Sequence, residues 1–346
     1  METNKTMATA SRLVDENKGL KNKIINLVTR WEGMLGLIII TMVIVFSNIT
    51  PYFLDYFNLM NATFTFMEKA ILALPMIFII LCGDIDISVA AIIALSSFAM
   101  GFSSSIGLGT PEIIIIGILA GGLAGAFNGL FIIRFGIPAI AVTLASQSLF
   151  RGISQAVLED QAYTHYPDNF SYFGQGYIKG TLIPFELIFF LVLAGGFAYV
   201  LHKSSYGRKM YAIGNSATAA RFSGVQVDKI RFMNFVLNGL FAGVVAVLLT
   251  SRIGSTRPNI AQGWELEAIT LVVLGGVSIT GGKGNIVGVI LSIFLIGYLK
   301  FGMGLINMSA KVMIITTGFL LILAVLLPGI MEALKKGNKL RIQKKV

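Results

Sequence analysis

Long apolar segments follow one another along this chain from residue 34 to residue 328. An α-helix needs roughly 20 predominantly apolar residues to cross the ~30 Å hydrocarbon layer of a bilayer. Two of the segments, 113–133 and 314–327, contain no charged residue at all. Hydrophobic residues make up 55% of the chain and charged residues 13%, which is more apolar surface than a water-soluble core could bury. The composition therefore predicts a membrane protein.

Ten apolar segments predict about ten transmembrane helices, and hence an all-α polytopic membrane protein. Around them we expect three regions, namely a polar N-terminal arm at 1–30, a transmembrane domain at 31–328 and a basic tail at 329–346. The predicted spans are 31–50, 63–82, 87–106, 112–133, 137–156, 183–201, 232–251, 266–281, 285–304 and 311–328.

Basic residues are concentrated on one side of this arrangement. If both termini are cytoplasmic, 20 of the 27 lysines and arginines fall in the arm, the tail and the cytoplasmic loops, above all the loop 202–231. This is the positive-inside bias of a multi-pass protein of the bacterial cytoplasmic (inner) membrane. The net charge of +10 therefore indicates orientation and contact with membrane lipid, and not the binding of nucleic acid.

Cysteine and histidine are too scarce for a metal centre. Cys82 is the one cysteine of the chain, which excludes an intramolecular disulfide and a cysteine cluster. His165 and His202 fall in predicted loops on opposite sides of the membrane. We therefore expect neither a metal site nor a cofactor.

The segment 276–284, G-V-S-I-T-G-G-K-G, comes nearest to a phosphate-binding loop. Such a loop needs lysine directly after the second glycine of the motif, and then serine or threonine for Mg²⁺. Here Gly282 precedes Lys283 and Gly284 follows it. We interpret the segment as a break between two helices, so that any ATP hydrolysis belongs to a separate subunit.

A similar break follows an earlier span. The second predicted span ends in F-I-I-L-C-G-D-I-D-I-S at 78–88, and the eighth ends in T-L-V-V-L-G-G-V-S-I-T at 270–280. Irregular backbone at membrane depth is tolerated only where protein or water covers it. The pattern predicts two broken or re-entrant hairpins that pair near a central pathway.

Glycine recurs at every fourth position of the fourth predicted span, at Gly117, Gly121, Gly125 and Gly129. These residues share one helix face, and glycine allows the backbone of a neighbouring helix to come close. We predict that they pack helices together. Asn128, beside the last of them, either bonds a neighbouring helix or faces a pathway.

Three blocks of this sequence together resemble the sugar-type permeases of ATP-binding-cassette importers, the group with the ribose, galactose, xylose, rhamnose and autoinducer-2 permeases. G-D-I-D-I-S-V at 83–89 resembles the family's G-G-I-D-L-S-V-G turn, from which it departs at Asp84 and Ala90. Residues 211–225 resemble its G-x-N-x-x-A-A-x-x-S-G-I loop, and 267–284 resemble its E-L-x-A-I-x-x-V-x-x-G-G-x-S-x-x-G-G-x-G block.

The resemblance implies a transport subunit, not an enzyme, that passes a small neutral sugar-like solute. Its implied partners are ABC ATPase subunits, a second permease copy or homologous permease, and an extracytoplasmic solute-binding protein. The third block and the segment 302–307 are closest to the rhamnose or autoinducer-2 branches. A neutral cargo also fits the apparent lack of deep, unpaired charge. The alternatives are a branched-chain amino-acid ABC permease and an ion-driven secondary transporter.

A short amphipathic helix is predicted at 216–222, with Gly214 and Gly224 on either side as hinges or caps. Its small alanines and single arginine suit a groove on a partner. By resemblance this is the helix that docks into the ATPase. The residues expected to couple to the ATPase are Gly214, Asn215, Ala217, Ala219, Ala220, Arg221 and Gly224.

Asp84 and Asp86 are the only acids between residues 70 and 111. One interpretation is that they form a polar gate at the inner end of the translocation pathway or hydrogen-bond to sugar hydroxyls. The other is that they are solvated acids at the membrane boundary and that Asp86 or Ser88 caps the next helix. A polar stripe on the fifth span lines the pathway, unless Arg151 snorkels to the outer interface. The candidate pathway residues are Asp84, Asp86, Ser88, Asn128, Thr143, Gln147 and Arg151.

Overall fold

The computed structural model describes residues 31–159, 161–320, 322, 323 and 326. The predicted arm at 1–30 and the predicted tail at 329–346 therefore lie outside the described residues. Within the described ranges the chain forms helices and no strand, with two isolated bridges, Tyr163–Thr256 and Tyr177–Pro184. The all-α class predicted from the sequence is confirmed.

The described helices are numbered in chain order, and a short 3₁₀ turn at Asp168–Ser171 precedes α7. They are α1 Trp31–Ile49, α2 Tyr56–Thr63, α3 Met67–Leu81, α4 Val89–Ser105, α5 Thr110–Arg134, α6 Ala139–Leu158, α7 Tyr172–Gln175, α8 Phe185–Lys203, α9 Ser205–Asn215, α10 Ala217–Phe222, α11 Val227–Ile253, α12 Trp264–Leu274, α13 Ile286–Leu305 and α14 Ala310–Leu320.

Each of the ten predicted spans contains a helix, but the helices differ in length. Among the described residues, α1, α5, α8, α11 and α13 are long and apolar enough to cross a membrane, and so are α2 and α3 taken together, with a bend of 50° between them. The apolar helices α4 and α14 are shorter. Helix α12 has 11 residues and is about 16 Å long at the usual rise per residue. The eighth predicted span is therefore a half-span followed by a break.

Helices α5 and α11 pack with their backbones in contact through glycines on both sides. A Cβ atom on Gly121 would lie 2.3 Å from the Gly239 carbonyl oxygen, and one on Gly125 would lie 2.3 Å from the Phe235 carbonyl oxygen. Gly243 of α11 faces α5 in the same way. Small residues allow this approach where lipid supplies no hydrophobic force between helices.

The other two glycines of the stripe contact side chains. A Cβ atom on Gly117 would collide with Met100 of α4, and one on Gly129 with Phe232 of α11. The stripe thus faces α4 at one end and α11 along the rest of its length.

Two breaks interrupt the bundle and lie against each other. The first break, residues 82–88, joins α3 to α4, and the second break, residues 275–285, joins α12 to α13. The Gly282 N–H donates to the Leu81 carbonyl oxygen at 2.9 Å. A Cβ atom on Gly281 would lie 2.9 Å from the Gly83 nitrogen. The predicted pairing of two broken hairpins is confirmed.

Both breaks lie at the end of the bundle that carries α9 and α10, which we call the basic end. There the Trp31 ring N–H donates to the Leu274 carbonyl oxygen at 2.8 Å and closes α1 over the second break. The opposite end includes the segment 161–184 and the loop 254–263, joined by the bridge between Tyr163 and Thr256.

Candidate coupling and translocation site

Helix α10 is a short, capped and largely exposed element at the basic end. The Ser216 hydroxyl accepts a hydrogen bond from the Ala219 N–H at 3.2 Å, which caps the start of the helix. At its end Gly224 has φ of 81°, and the Val225 N–H donates to the Ala220 carbonyl oxygen at 3.0 Å. This pattern is a Schellman cap, in which glycine adopts the left-handed conformation without strain.

The exposed face of α10 ends in an aromatic ring. Ala220 is buried against the rest of the chain, whereas Ala217, Ala219 and Arg221 are exposed. Phe222 is 90% exposed. An exposed ring of this kind at a helix tip is typical of a residue that a partner covers.

Helix α9 seats α10 on the two breaks. A Cβ atom on Gly214 would lie 2.0 Å from the Leu81 carbonyl oxygen and 2.2 Å from the Gly282 nitrogen. The Asn215 side chain donates to the Gly282 carbonyl oxygen at 3.4 Å, and the Tyr211 hydroxyl donates to that of Gly284 at 2.8 Å. Gly214 lies inside α9, so it is a close-packing residue and not a hinge or cap as expected.

Asp84 forms a two-pronged ion pair with Arg231 in the first turn of α11. The Arg231 Nε donates to one carboxylate oxygen at 2.7 Å, and an Nη donates to the other at 2.6 Å. The Asp84 side chain is 8% exposed and that of Arg231 25%. Paired guanidinium and carboxylate groups of this geometry are among the strongest charge-assisted contacts in proteins.

Asp86 is the centre of a buried polar network. One carboxylate oxygen accepts from the Ser88 N–H at 2.9 Å and from the Ser88 hydroxyl at 2.6 Å, and the other accepts from the Asn238 amide of α11 at 2.8 Å. The Asn128 amide of α5 donates to the Ser88 hydroxyl oxygen at 2.7 Å. The network ties the first break to α5 and α11.

The solvated-acid alternative does not hold, because both Asp84 and Asp86 are buried. Ser88 occupies the position before α4, yet its side chain caps no helical N–H. Asp86 instead holds the turn that leads into α4, through Ser88. Whether the two acids gate a pathway stays a prediction.

The polar stripe of α6 faces protein. The Thr143 hydroxyl donates to the Ile85 carbonyl oxygen at 3.4 Å, and the Gln147 amide donates to Glu265 at 3.2 Å. Arg151 donates through Nη1 to the carbonyl oxygens of Pro258 at 2.9 Å and Ile260 at 2.7 Å. These contacts fix the guanidinium to the loop 254–263. Whether the stripe lines a pathway stays a prediction.

The predicted site residues thus fall into three groups. Asp84, Asp86, Ser88, Asn128 and Thr143 surround the first break. The coupling residues lie beside it at the basic end. Gln147 and Arg151 lie farther along α6, toward the opposite end.

Sequence reasoning missed the polar face of α11. Arg231, Asn234 and Asn238 are three and four residues apart, so they share one side of an otherwise apolar helix. The Asn234 amide donates to the Phe78 carbonyl oxygen at 3.3 Å and accepts from the Tyr206 hydroxyl at 2.7 Å. The spacing of these polar residues in a predicted span indicates such a face, because polar groups within a membrane usually contact a partner or water.

Buried charges near the opposite end were also missed. Glu68 of α3 pairs with Arg252 of α11, and both Lys69 and Lys300 lie 2.8 Å from one oxygen of Glu267. Glu186 at the start of α8 is buried, and neither of its carboxyl oxygens has a hydrogen-bond partner in the described part of the chain.

Paired breaks inside a helical membrane bundle, with an exposed helix resting on them, define a polytopic transport protein. Residues 58–326 match the family described as branched-chain amino acid transport system, permease component. The ribose import permease protein RbsC of Bacillus subtilis (strain 168) is 36% identical over 296 residues, 85% of this chain and 90% of the relative. No solved structure matches this chain.

Two further relatives come from enteric bacteria. The autoinducer 2 import system permease protein LsrD of Salmonella paratyphi B is 33% identical over 301 residues, 85% of this chain and 90% of that protein. RbsC of Escherichia coli (strain K12) is 30% identical over 299 residues, 85% of this chain and 92% of that protein. The chain belongs to this permease family, among the sugar-type permeases of ATP-binding-cassette importers, and is a multi-pass transport subunit of the inner membrane.

Proposed function

We propose that this chain is the membrane-spanning subunit that passes a small neutral polyhydroxylated solute into the cell, driven by separate ATPase subunits. The observation that carries the proposal is the position of α10. Its outer face is exposed, and the adjoining residues Gly214 and Asn215 lie directly on the two breaks. A partner that binds α10 therefore acts directly on the two breaks, because the residues next to α10 are in contact with them.

A second connection runs through the start of α11. The Schellman turn after α10 leads into α11, whose first turn carries Arg231. Arg231 holds Asp84, and Asn238, two turns farther along, holds Asp86. Rotation or translation of α11 therefore displaces the first break at two points. We infer that opening and closing of the ATPase moves the paired breaks as one unit, because packed elements shift between discrete arrangements.

The proposed orientation puts the basic end and both termini in the cytoplasm, as the distribution of lysine and arginine favours. ATPase subunits then dock on α10. An extracytoplasmic solute-binding protein docks at the opposite end, and a second permease copy or a homologous permease completes the pathway within the lipid bilayer. The arm at 1–30 and the tail at 329–346 are proposed to lie on the cytoplasmic side of the transmembrane domain.

The proposed solute is of the ribose or autoinducer-2 type. Relatives named for import of those two compounds match most of this chain. The rhamnose branch expected from the sequence has no support among the relatives given above. A branched-chain amino acid, although present in the family's description, is not favoured over a sugar, and an ion-driven carrier is disfavoured by the family assignment.

The assignment is tested by isolating the full-length chain, tagged, from membranes in which cassette ATPase subunits are also expressed. We expect a complex whose ATP hydrolysis rises when a ribose-loaded binding protein is added. Isolation of the chain without ATPase, under conditions in which it remains folded, would contradict the proposal.

A further inference from the structure

The loop 254–263, at the opposite end of the bundle, is held in place by buried groups at alternate residues. The Thr256 hydroxyl donates to the Ser97 carbonyl oxygen at 2.9 Å. The carbonyl oxygens of Pro258 and Ile260 both accept from the guanidinium of Arg151. Residues 256, 258 and 260 are therefore fixed to α4 and α6, and the loop has a defined conformation.

Polar side chains between these anchors and just after them are exposed. Arg257, Asn259 and Gln262 are exposed, and within the described ranges none of their side chains has a hydrogen-bond partner. A rigid loop thus presents one guanidinium and two carboxamide groups whose donors and acceptors are all available. Rigid presentation of a few polar groups is what a binding site requires, since little ordering entropy is lost on binding.

Two cavities flank this loop and share Arg257 and Asn259. The first, of about 650 Å³, is lined on its other side by Gln155, Glu159 and Gln161. The second, of about 460 Å³, is lined by further residues of the loop and by the start of α12, namely Arg252, Ser255, Gln262 and Trp264. Each volume exceeds that of a single sugar ring, and the two open on either side of the same pair of side chains.

Charged side chains of both signs line the first cavity, namely Glu159 and Arg257 among the described residues. The second cavity is lined by Arg252 and Arg257, of which Arg252 is paired with Glu68. Carboxamide groups both donate and accept hydrogen bonds, as hydroxyl groups do, so three or more of them around one space match a polyhydroxylated molecule.

We propose that the loop 254–263 and its two cavities form a vestibule that binds the neutral polyhydroxylated solute before it enters the bundle. Arg257 and Asn259 lie at the centre of this vestibule, and Gln155, Gln161 and Gln262 contribute further hydroxyl contacts. Arg151 is a positioning residue that fixes the loop from behind. The class of solute in this inference rests on the proposed function. The vestibule binds the solute weakly, because a tight site would retain the cargo.

The test is protection of a single introduced thiol in the purified full-length chain, which needs no ATPase. Asn259→Cys is labelled with a membrane-impermeant maleimide in the presence of D-ribose or of leucine at high millimolar concentration. The unmodified chain supplies the background, since its one cysteine, Cys82, is buried. Lys179→Cys is the matched control, because Lys179 is exposed in the segment 161–184 and lines neither cavity.

We expect D-ribose to slow labelling at position 259 at least twofold, with no effect at position 179 and none from leucine. Equal labelling with and without ribose would overturn the vestibule, and so would protection by leucine alone. A parallel uptake assay separates this result from the proposed function. Protection without ATP-driven uptake would support the vestibule and contradict the transport assignment. Uptake without protection would support the transport assignment and contradict the vestibule.

A second variant checks that the contact matters for transport. Arg257→Gln removes the guanidinium at the centre of the vestibule and leaves the anchors at 256, 258 and 260 intact. We expect about a tenfold lower maximal uptake rate, while Lys179→Gln, which also removes one exposed cation, leaves uptake unchanged. Equal effects of the two substitutions would mean that net charge, and not binding in the vestibule, is what Arg257 supplies.

Discussion

Arg231 grips both carboxylate oxygens of Asp84, at 2.6 and 2.7 Å, and so joins the first turn of α11 to the break between α3 and α4. Asp228, three residues earlier on α11, forms a second ion pair with Arg221 of α10 at 2.6 Å. The two pairs differ in burial, since the side chains of the second are 61% and 56% exposed. One pair lies inside the proposed coupling route and the other on its surface.

Loss of the inner pair should uncouple the complex. In Asp84→Asn the guanidinium of Arg231 remains largely buried without its counter-ion, which costs about 2 kcal/mol or more. We expect a clear fall in the midpoint of thermal unfolding in detergent and at least a tenfold lower uptake rate. Arg231→Lys keeps the charge but loses the two-pronged contact. Its uptake rate should therefore lie between those of Asp84→Asn and the unmodified chain.

The surface pair provides the matched control. Asp228→Asn breaks an exposed contact that is worth about 0.5 kcal/mol or less. We expect unfolding midpoint and uptake close to those of the unmodified chain. If Asp84→Asn and Asp228→Asn behave alike, the inner ion pair has no special part in coupling.

Close packing of α5 on α11 should tolerate no side chain at Gly125. In Gly125→Ala the new methyl group meets the Phe235 carbonyl oxygen, and overpacking against backbone costs about 1 to 3 kcal/mol. We expect lower yield in the membrane and a lower unfolding midpoint.

The control for that substitution is Gly196→Ala in α8. No heavy atom lies within 4 Å of a Cβ atom at Gly196, and alanine favours helix over glycine by up to about 1 kcal/mol. We expect this variant to be as stable as the unmodified chain or more so. An equally large loss at both positions would show that contact between α5 and α11 has no special part in the effect at Gly125.

The close approach of α5 to α11 illustrates what a sequence can disclose. The four-residue spacing of Gly117, Gly121, Gly125 and Gly129 indicates a packing face, because helix periodicity places them on one side. It does not identify the partner helix. Gly239 and Gly243, the residues that meet this face, are recognised only once the fold brings the two helices together.

Phe222 should anchor the ATPase. It is 90% exposed at the end of α10, so Phe222→Ser removes apolar surface from a partner and little from the chain's own core. We expect loss of the ATPase subunits from the purified complex with an unchanged unfolding midpoint. Phe222→Tyr, which keeps the ring, should retain them. Full retention in Phe222→Ser would place the docking surface elsewhere.

Substitution of Ala220 is a less direct test of docking. Ala220 is 5% exposed, so a bulky residue there disturbs the seat of α10 on its own chain. The amphipathic pattern of 216–222 predicted the helix correctly. Which of its faces turns inward depends on α9 and the two breaks, and therefore on contacts between distant segments.

The proposed orientation is tested by labelling introduced cysteines in intact cells. Ser171 and Ser216 are both exposed, at opposite ends of the bundle. We expect Ser171→Cys to react with an impermeant reagent from outside, and Ser216→Cys to react only after permeabilisation. Labelling of Ser216→Cys in intact cells would contradict the proposed orientation.

Arg231 shows why part of the candidate site could not be predicted. In the sequence it is one of several basic residues in the loop 202–231, and its charge fits the orientation signal. Its pairing with Asp84 joins residues 147 positions apart, and only the packing of α11 beside the first break creates it. The hydrogen bond between Asp86 and Asn238 could not be predicted for the same reason.

Transport driven by ATP through this chain is the central claim. It is measured most directly as D-ribose uptake into proteoliposomes that contain the full-length permease, its cassette ATPase subunits and the binding protein. We predict uptake that requires ATP, is unaffected by collapse of proton and sodium gradients, and is lost in Phe222→Ser. Uptake that continues without ATP and follows an imposed ion gradient would contradict the account.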